Sequence, residues 1–357
     1  MLGWRIGVGV LAVSVVAACA APAPEKPTAP EHASCMASLP DGWRTAFDDG
    51  ARTVAPGGVP LAVGPAGDVV VARDDGTVRD AALIGADGAA TTVYTVADPA
   101  NRDVGFAALD DKWIVVGVRH NPRGANGVLP TLVRVEVINR ADHSVRTVAE
   151  TSADDLRDGG ATIDSVALSG DTVYWLTRDS FAGAHGTVRS FDANSGATAE
   201  VTSGSLSSLR TGAAGVLWDV ADDPGHRHAV VGVPAELPAA VADAVGEQRA
   251  GVVTDGKAYA WRSDGGLTWW SADAGTVRVT GDLPGASELW VSGPLVFGSH
   301  APTATVVDTR SGASVELPYQ VAAVGGGTLA ALKAPADKSA PLTPVIVRTE
   351  PLPPLTC

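Results

Sequence analysis

Methionine, cysteine and lysine are scarce in this chain. Its 357 residues include two Met and three Cys, and Lys and Arg together number 26 against 40 Asp and Glu. The formal net charge of -14 argues against a phosphate-backbone binder, which needs a basic face, so no nucleic-acid partner is expected. An acidic surface mainly promotes solubility, and a monomer is expected. No segment carries a persuasive 3.6-residue apolar period with caps; Pro234 to Val245 comes nearest and is short. The catalytic signatures are missing too. There is no Gly-x-Ser-x-Gly elbow, no His-Glu-x-x-His, no phosphate-binding Gly loop and no Rossmann fingerprint. What the chain does have is apolar content: 45% of residues are hydrophobic, enough for one large domain or two ordinary ones and too many for a disordered chain.

The N-terminus reads MLGWRIGVGVLAVSVVAACAAPAPEKPTAPEHASC. Arg5 supplies a positive start, and Ile6 to Ala18 form an apolar stretch too short for a comfortable membrane span. The stretch stops at VAAC, residues 16–19. That tetrapeptide resembles the lipobox of bacterial lipoproteins. The resemblance implies a signal peptide over 1–18, cleavage before Cys19 and a diacylglycerol on its thiol. Residues 19–38, rich in Pro and Ala, suit a tether between bilayer and fold. No later run of 18 apolar residues exists to span a membrane. The implied place is the outer face of a bacterial cytoplasmic membrane. The predominance of Ala, Val, Gly and Asp, with Arg over Lys, resembles high-GC actinobacterial usage. With Cys19 committed to lipid, Cys35 and Cys357 remain in an oxidising compartment, and one bridge between them is expected.

From Leu61 onward an apolar hairpin recurs about every 40 residues, the spacing of propeller blades. LAVGPAGDVVVA (Leu61), FAALDDKWIVVG (Phe106) and SVALSGDTVYWL (Ser165) are followed by copies from Leu209, Ala250, Leu289 and Val321. Most copies precede a second hairpin, such as VRVEVINRADHSVRTVA from Val133, and two hairpins make a four-stranded blade. The expected fold is an all-β, seven-bladed β-propeller spanning 39–357, with six blades as the alternative. The last repeat lacks a fourth strand, because EPLPPLTC is too Pro-rich to be a central strand. Trp43 to Phe47 is therefore expected as a lone N-terminal strand completing that blade, with Cys35–Cys357 beside the seam. Trp175, Trp218 and Phe297 share one repeat column and should pack between blades. Trp269 and Trp270, adjacent in a strand, should face opposite sides.

These repeats resemble β-propellers of the TolB-like and quinoprotein-like kind over nearly all of residues 39–357. The likeness lies in period and hairpin pattern. Trp218-Asp219 is a single WD dipeptide, not a WD40 array, and the recurring tryptophan motif of quinoprotein dehydrogenases is missing, so no cofactor is expected.

Propeller topology puts the within-hairpin turns on one face and the longer second-to-third-strand loops on the other. Function concentrates on loops held by a rigid scaffold. Five of the seven histidines, His120, His185, His226, His228 and His300, fall in the long loops. With them come Arg119, Arg178, Asp179, Asp222, Asp223, Arg262 and Asp264. These twelve are the candidate ligand-binding residues. DDPGHRH, from Asp222, sets two carboxylates near two His, but no further ligand follows from spacing and no metal is expected. The expected role is a lipid-anchored binding or scaffold module for a protein, peptide or glycan. The alternative is a propeller-fold hydrolase or lyase acting on an envelope or extracellular polymer.

Overall fold

Short runs of β-branched residues separated by Gly and Asp turns fold here into consecutive antiparallel ladders. The computed structural model describes residues 29–51, 57–120, 131–152, 154, 161–178, 185–212, 215–223, 226–231, 237–248, 252–263, 265–281, 288–333 and 342–357. Strands β1 (Glu31–Ala33) and β2 (Cys35–Met36) and helix α1 (Asp41–Gly50) precede the repeats. The first unit is β3 (Val59–Val63), β4 (Val69–Asp74), β5 (Arg79–Ile84) and β6 (Ala90–Thr95). The second is β7 (Arg102–Leu109), β8 (Trp113–His120), β9 (Leu132–Asn139) and β10 (Val145–Glu150). The third is β11 (Thr162–Ser169), β12 (Thr172–Arg178), β13 (His185–Asp192) and the first half of β14 (Thr198–Gly212). From Leu206 on, β14 turns to a new partner, β15 (Gly215–Asp223), which pairs with β16 (His226–Val231). Helix α2 (Ala239–Gln248) stands in this fourth unit where the first, second, third, fifth and sixth have a fourth strand.

The fifth unit is β17 (Val252–Thr254), β18 (Ala258–Ser263), β19 (Gly266–Ser271) and β20 (Gly275–Thr280). The sixth is β21 (Glu288–Ser292), β22 (Leu295–His300), β23 (Thr303–Asp308) and β24 (Ala313–Leu317). The last is three-stranded: β25 (Tyr319–Gly325), β26 (Thr328–Lys333) and β27 (Thr343–Arg348).

Each unit buries apolar side chains against the next. Val70, Ile114 and Val116 join the first to the second; Trp113, Val115 and Trp175 join the second to the third. Tyr174 and Trp218 sit between the third and fourth, and Leu217, Val241 and Trp261 between the fourth and fifth. Trp269 packs toward the sixth unit while Trp270 lies on the other side of its sheet, against the fourth, as strand alternation requires. Phe297 is buried between the sixth and the last. The last unit then packs on the first through Ala330, Val69, Val71 and Ile84, which closes a ring. The architecture is a β-propeller. Trp175, Trp218 and Phe297 are all buried between neighbouring units, but Trp175 and Trp218 face the preceding unit and Phe297 the following one, so the three do not share one column.

The N-terminal segment differs from expectation. Trp43 to Phe47 is not a strand but part of α1, whose buried face is Trp43, Phe47 and Gly50, spaced i, i+4, i+7. The helix lies on the last unit. Phe47 stacks on Tyr319 at 4.4 Å between ring centroids, and a Cβ on Gly50 would come within 2.4 Å of the Ile346 carbonyl oxygen. Ahead of the helix, residues assigned to the tether already belong to sheets. β1 pairs parallel with β20 of the fifth unit, and β2 pairs parallel with β24 of the sixth. Residues 31–50 therefore strap three consecutive units before the first unit begins.

The C-terminal tail locks this strap. The Trp43 indole donates to the Pro353 carbonyl at 2.9 Å, and the Leu355 amide donates to Asp308 at 3.1 Å. Leu352 and Leu355 are buried in the same core as Trp43 and Phe47. Cys357 is disulfide-bonded to Cys35 with the Cα atoms 5.9 Å apart.

Candidate functional site

Strand polarity sorts the candidate residues. Second strands run outward to the long-loop end of their units, and the candidates cluster there. Arg119 and His120 end β8, Arg178 ends β12, His185 opens β13, Arg262 lies near the end of β18, and His300 ends β22. Asp222 and Asp223 end β15, and His226 and His228 lie in β16; only their backbone is described. Asp179, Asp264 and the lipidation candidate Cys19 lie outside the described residues.

Several of these side chains are braced by their own unit. Arg119 forks onto Asp103 across the ladder, with Nε and Nη2 donating at 2.9 and 3.1 Å. Arg178 reaches Asp164 at 3.2 Å in the same way. The His300 ring bonds Thr303 Oγ1 at 2.8 Å through Nδ1 and Thr305 Oγ1 at 3.4 Å through Nε2. Each bond pairs a second-strand end with a first or third strand of the same sheet. Arg119, Arg178 and His300 are thus each held within their own unit.

Two cavities occupy this face on the first and second units. The larger, about 370 Å³, is lined by Arg73, Arg79 and Arg119 with Asp74 and Asp103. The smaller holds His120 with Arg102, Arg134 and Glu150 in about 20 Å³, space for one water. Arg73, Arg79 and Arg102 are absent from the sequence candidates. Arg73 and Arg79 flank a tight turn, residues 75–78, and Arg102 opens β7, whereas loop length singles out the other units. The signal that does find them is the recurrence of Arg at strand ends: Arg73, Arg79, Arg102 and Arg119 all lie within two residues of one.

A third cavity, about 480 Å³, runs down the ring axis. First strands from every unit line it, at the ends that lead into the tight turns, so its apolar wall includes Leu61, Leu109, Leu168 and Val291. Its charged lining residues are Asp110, Asp255 and Arg210. Asp110 Oδ1 accepts the amides of Lys112 and Trp113, both at 2.8 Å. Asp255 Oδ1 accepts Lys257 and Ala258, while Oδ2 accepts the Gly293 amide at 2.6 Å. Both carboxylates are committed to holding turns.

The carboxyls held below their ordinary range follow the same rule. Asp75 is lowered to about 2, chiefly by the Val78 amide and then by the hydroxyl and amide of Thr77. Ser144 lowers Asp142, the Trp113 indole lowers Asp171, and the Ser195 amide lowers Asp192. All four sit in exposed turns. Among the described residues, no group of three or more His, Cys, Asp or Glu is arranged to hold a metal ion.

No family model matches the chain, and no curated protein matches it. Solved structures similar to it include an oligogalacturonate lyase in complex with manganese, at TM-score 0.49 and 10% identity over 82% of this chain and 89% of that one. The β-propeller domain of the Trilobed protease from Pyrococcus furiosus, described as having an open velcro topology, is similar at TM-score 0.44 and 9% identity over 72% and 84%. Porphyromonas gingivalis dipeptidyl peptidase 4 is similar at TM-score 0.44 and 11% identity; 72% of this chain spans 44% of that one. At such identities the likeness is one of fold.

Proposed function

We propose that this protein is a lipid-anchored, extracytoplasmic binding module, a ring of seven blades whose long-loop face holds a protein, peptide or glycan. The observation that carries this reading is a set of four guanidinium groups on that face, those of Arg73, Arg79, Arg119 and Arg178, which aspartates fix before any ligand arrives. Pre-positioned donors lower the ordering cost of recognition. A hydrolase or lyase would need a carboxyl or imidazole free to move protons in a cavity. The carboxylates lining the axial cavity instead brace turns. The lipid anchor on Cys19 would hold the module at the outer membrane face. Among the described residues no helix is long and apolar enough to cross a membrane.

The binding role is tested by recovering partners from solubilised membranes with Arg119, Arg178 and His300 changed to Ala. Recovery should fall; unchanged recovery removes this face as the site. The anchor is tested separately. Cys19→Ala should move the protein from the membrane fraction to the soluble one, and retention on membranes contradicts the lipobox reading.

A further inference from the structure

We propose that the cleft between the first and second units binds a carboxylate carried on a small apolar group. This rests on the long-loop face being the binding face, and it names the ligand chemistry there. The cleft's volume of about 370 Å³ is that of a small-ligand pocket.

Its three arginines are built in. Arg119 Nε and Nη2 donate to Asp103. Arg79 Nε donates to Asp74 at 2.7 Å, and its Nη1 to the Arg102 carbonyl at 3.1 Å, bridging the two units. Arg73 forks onto Asp80 at 2.7 and 2.5 Å and also donates to Thr92. Gly105 makes room for the arrangement. A Cβ there would lie 2.3 Å from Arg119 Nε, so Arg119 runs over the bulge that interrupts β7 between Val104 and Phe106.

Hydrogen-bond accounting then selects the ligand. Both oxygens of Asp103 are taken by Arg119, and those of Asp74 by Arg79 and the Gly76 amide. Each guanidinium carries five N–H donors. Among the described residues, Arg119 and Arg79 each spend two on the protein, and Arg73 spends three. The cleft therefore has donors to spare and its lining carboxylates already engaged. A carboxylate is acceptor-only and matches the planar guanidinium fork. Val59, Leu61 and Val104 form the apolar side of the same cleft, suited to the group that carries it.

The test is calorimetric titration of the full-length protein with N-acetyl-leucine and with N-acetyl-leucinamide. The acid should bind and the amide should bind about tenfold more weakly or not at all. Arg119→Gln and Gly105→Ala should each weaken the acid about tenfold. Arg79→Gln gives a second reading if Arg119→Gln does not fold, and each variant's melting temperature verifies its fold. A Leu-ending hexapeptide acid compared with octanoate separates the sources: tighter peptide binding assigns a chain end, tighter octanoate binding a small apolar acid, and either supports the carboxylate assignment. Equal binding of acid and amide, or parent-like binding by all three variants, overturns it. If partner recovery still depends on Arg178 and His300 in that event, the cleft assignment falls and the face stands.

Discussion

At the scale of single residues, aspartates hold the turns of this protein. Asp75 accepts two amides and a hydroxyl, which stabilises its ionised form. Its folded-state pKa of about 2 lies below the ordinary aspartate value of 3.8, so the turn's contribution is complete above that ordinary value and is lost as pH falls toward 2. Carboxyl-detected NMR should therefore give Asp75 a midpoint near 2, and a midpoint near 3.8 would show that the turn does not hold in solution. The repeated Gly and Asp of such turns were readable in sequence because the hairpin demands them. Of the cleft arginines, Arg119 was readable from its long loop, and Arg73 and Arg79 were not. Their pairing is across a ladder or between units, and only the register reveals that Arg119 faces Asp103.

At the scale of elements, strands were legible, helix α1 was not, and the nearest helical pattern, Pro234 to Val245, overlaps helix α2. Period-two runs repeat many times, so each copy supports the others. Helix α1 occurs once and shows only two large apolar side chains, Trp43 and Phe47, which also fit a short strand. Tertiary packing decides between them: the last unit offers Tyr319 and the tail offers Leu352 and Leu355 to that one helical face. The close approach to β27 at Gly50 is the sensitive point. Gly50→Ala should destabilise the fold by about 1–3 kcal/mol through overpacking against the Ile346 carbonyl, despite the better helix propensity of alanine. Chemical denaturation measures this; a stabilised variant would mean the helix stands farther from the sheet. Helix α2 arises where the fourth repeat is degenerate, and Val241 fills the core position there.

At the scale of the whole molecule, the strap and the disulfide act together. Residues 31–50 run along the fifth, sixth and last units and lead into the first, so the chain itself bridges the seam. Cys35–Cys357 closes a loop with a sequence separation of 322, for which chain entropy gives at most about 6 kcal/mol. Cys35→Ser should lower stability by up to that amount while leaving the sheets intact. Far-UV dichroism and denaturant midpoints check both parts, and an unchanged midpoint would show that the bridge does not restrain the unfolded chain. The bridge was foreseeable because few cysteines left little choice; the parallel pairing of the strap was not, because residues 31–36 carry no repeat pattern. Which face binds is read most directly by hydrogen–deuterium exchange on the protein with and without its captured partner. Added protection is expected at the strand ends around Arg79, Arg119, Arg178 and His300; protection confined to the tight turns and the axial cavity would rule out binding at this face.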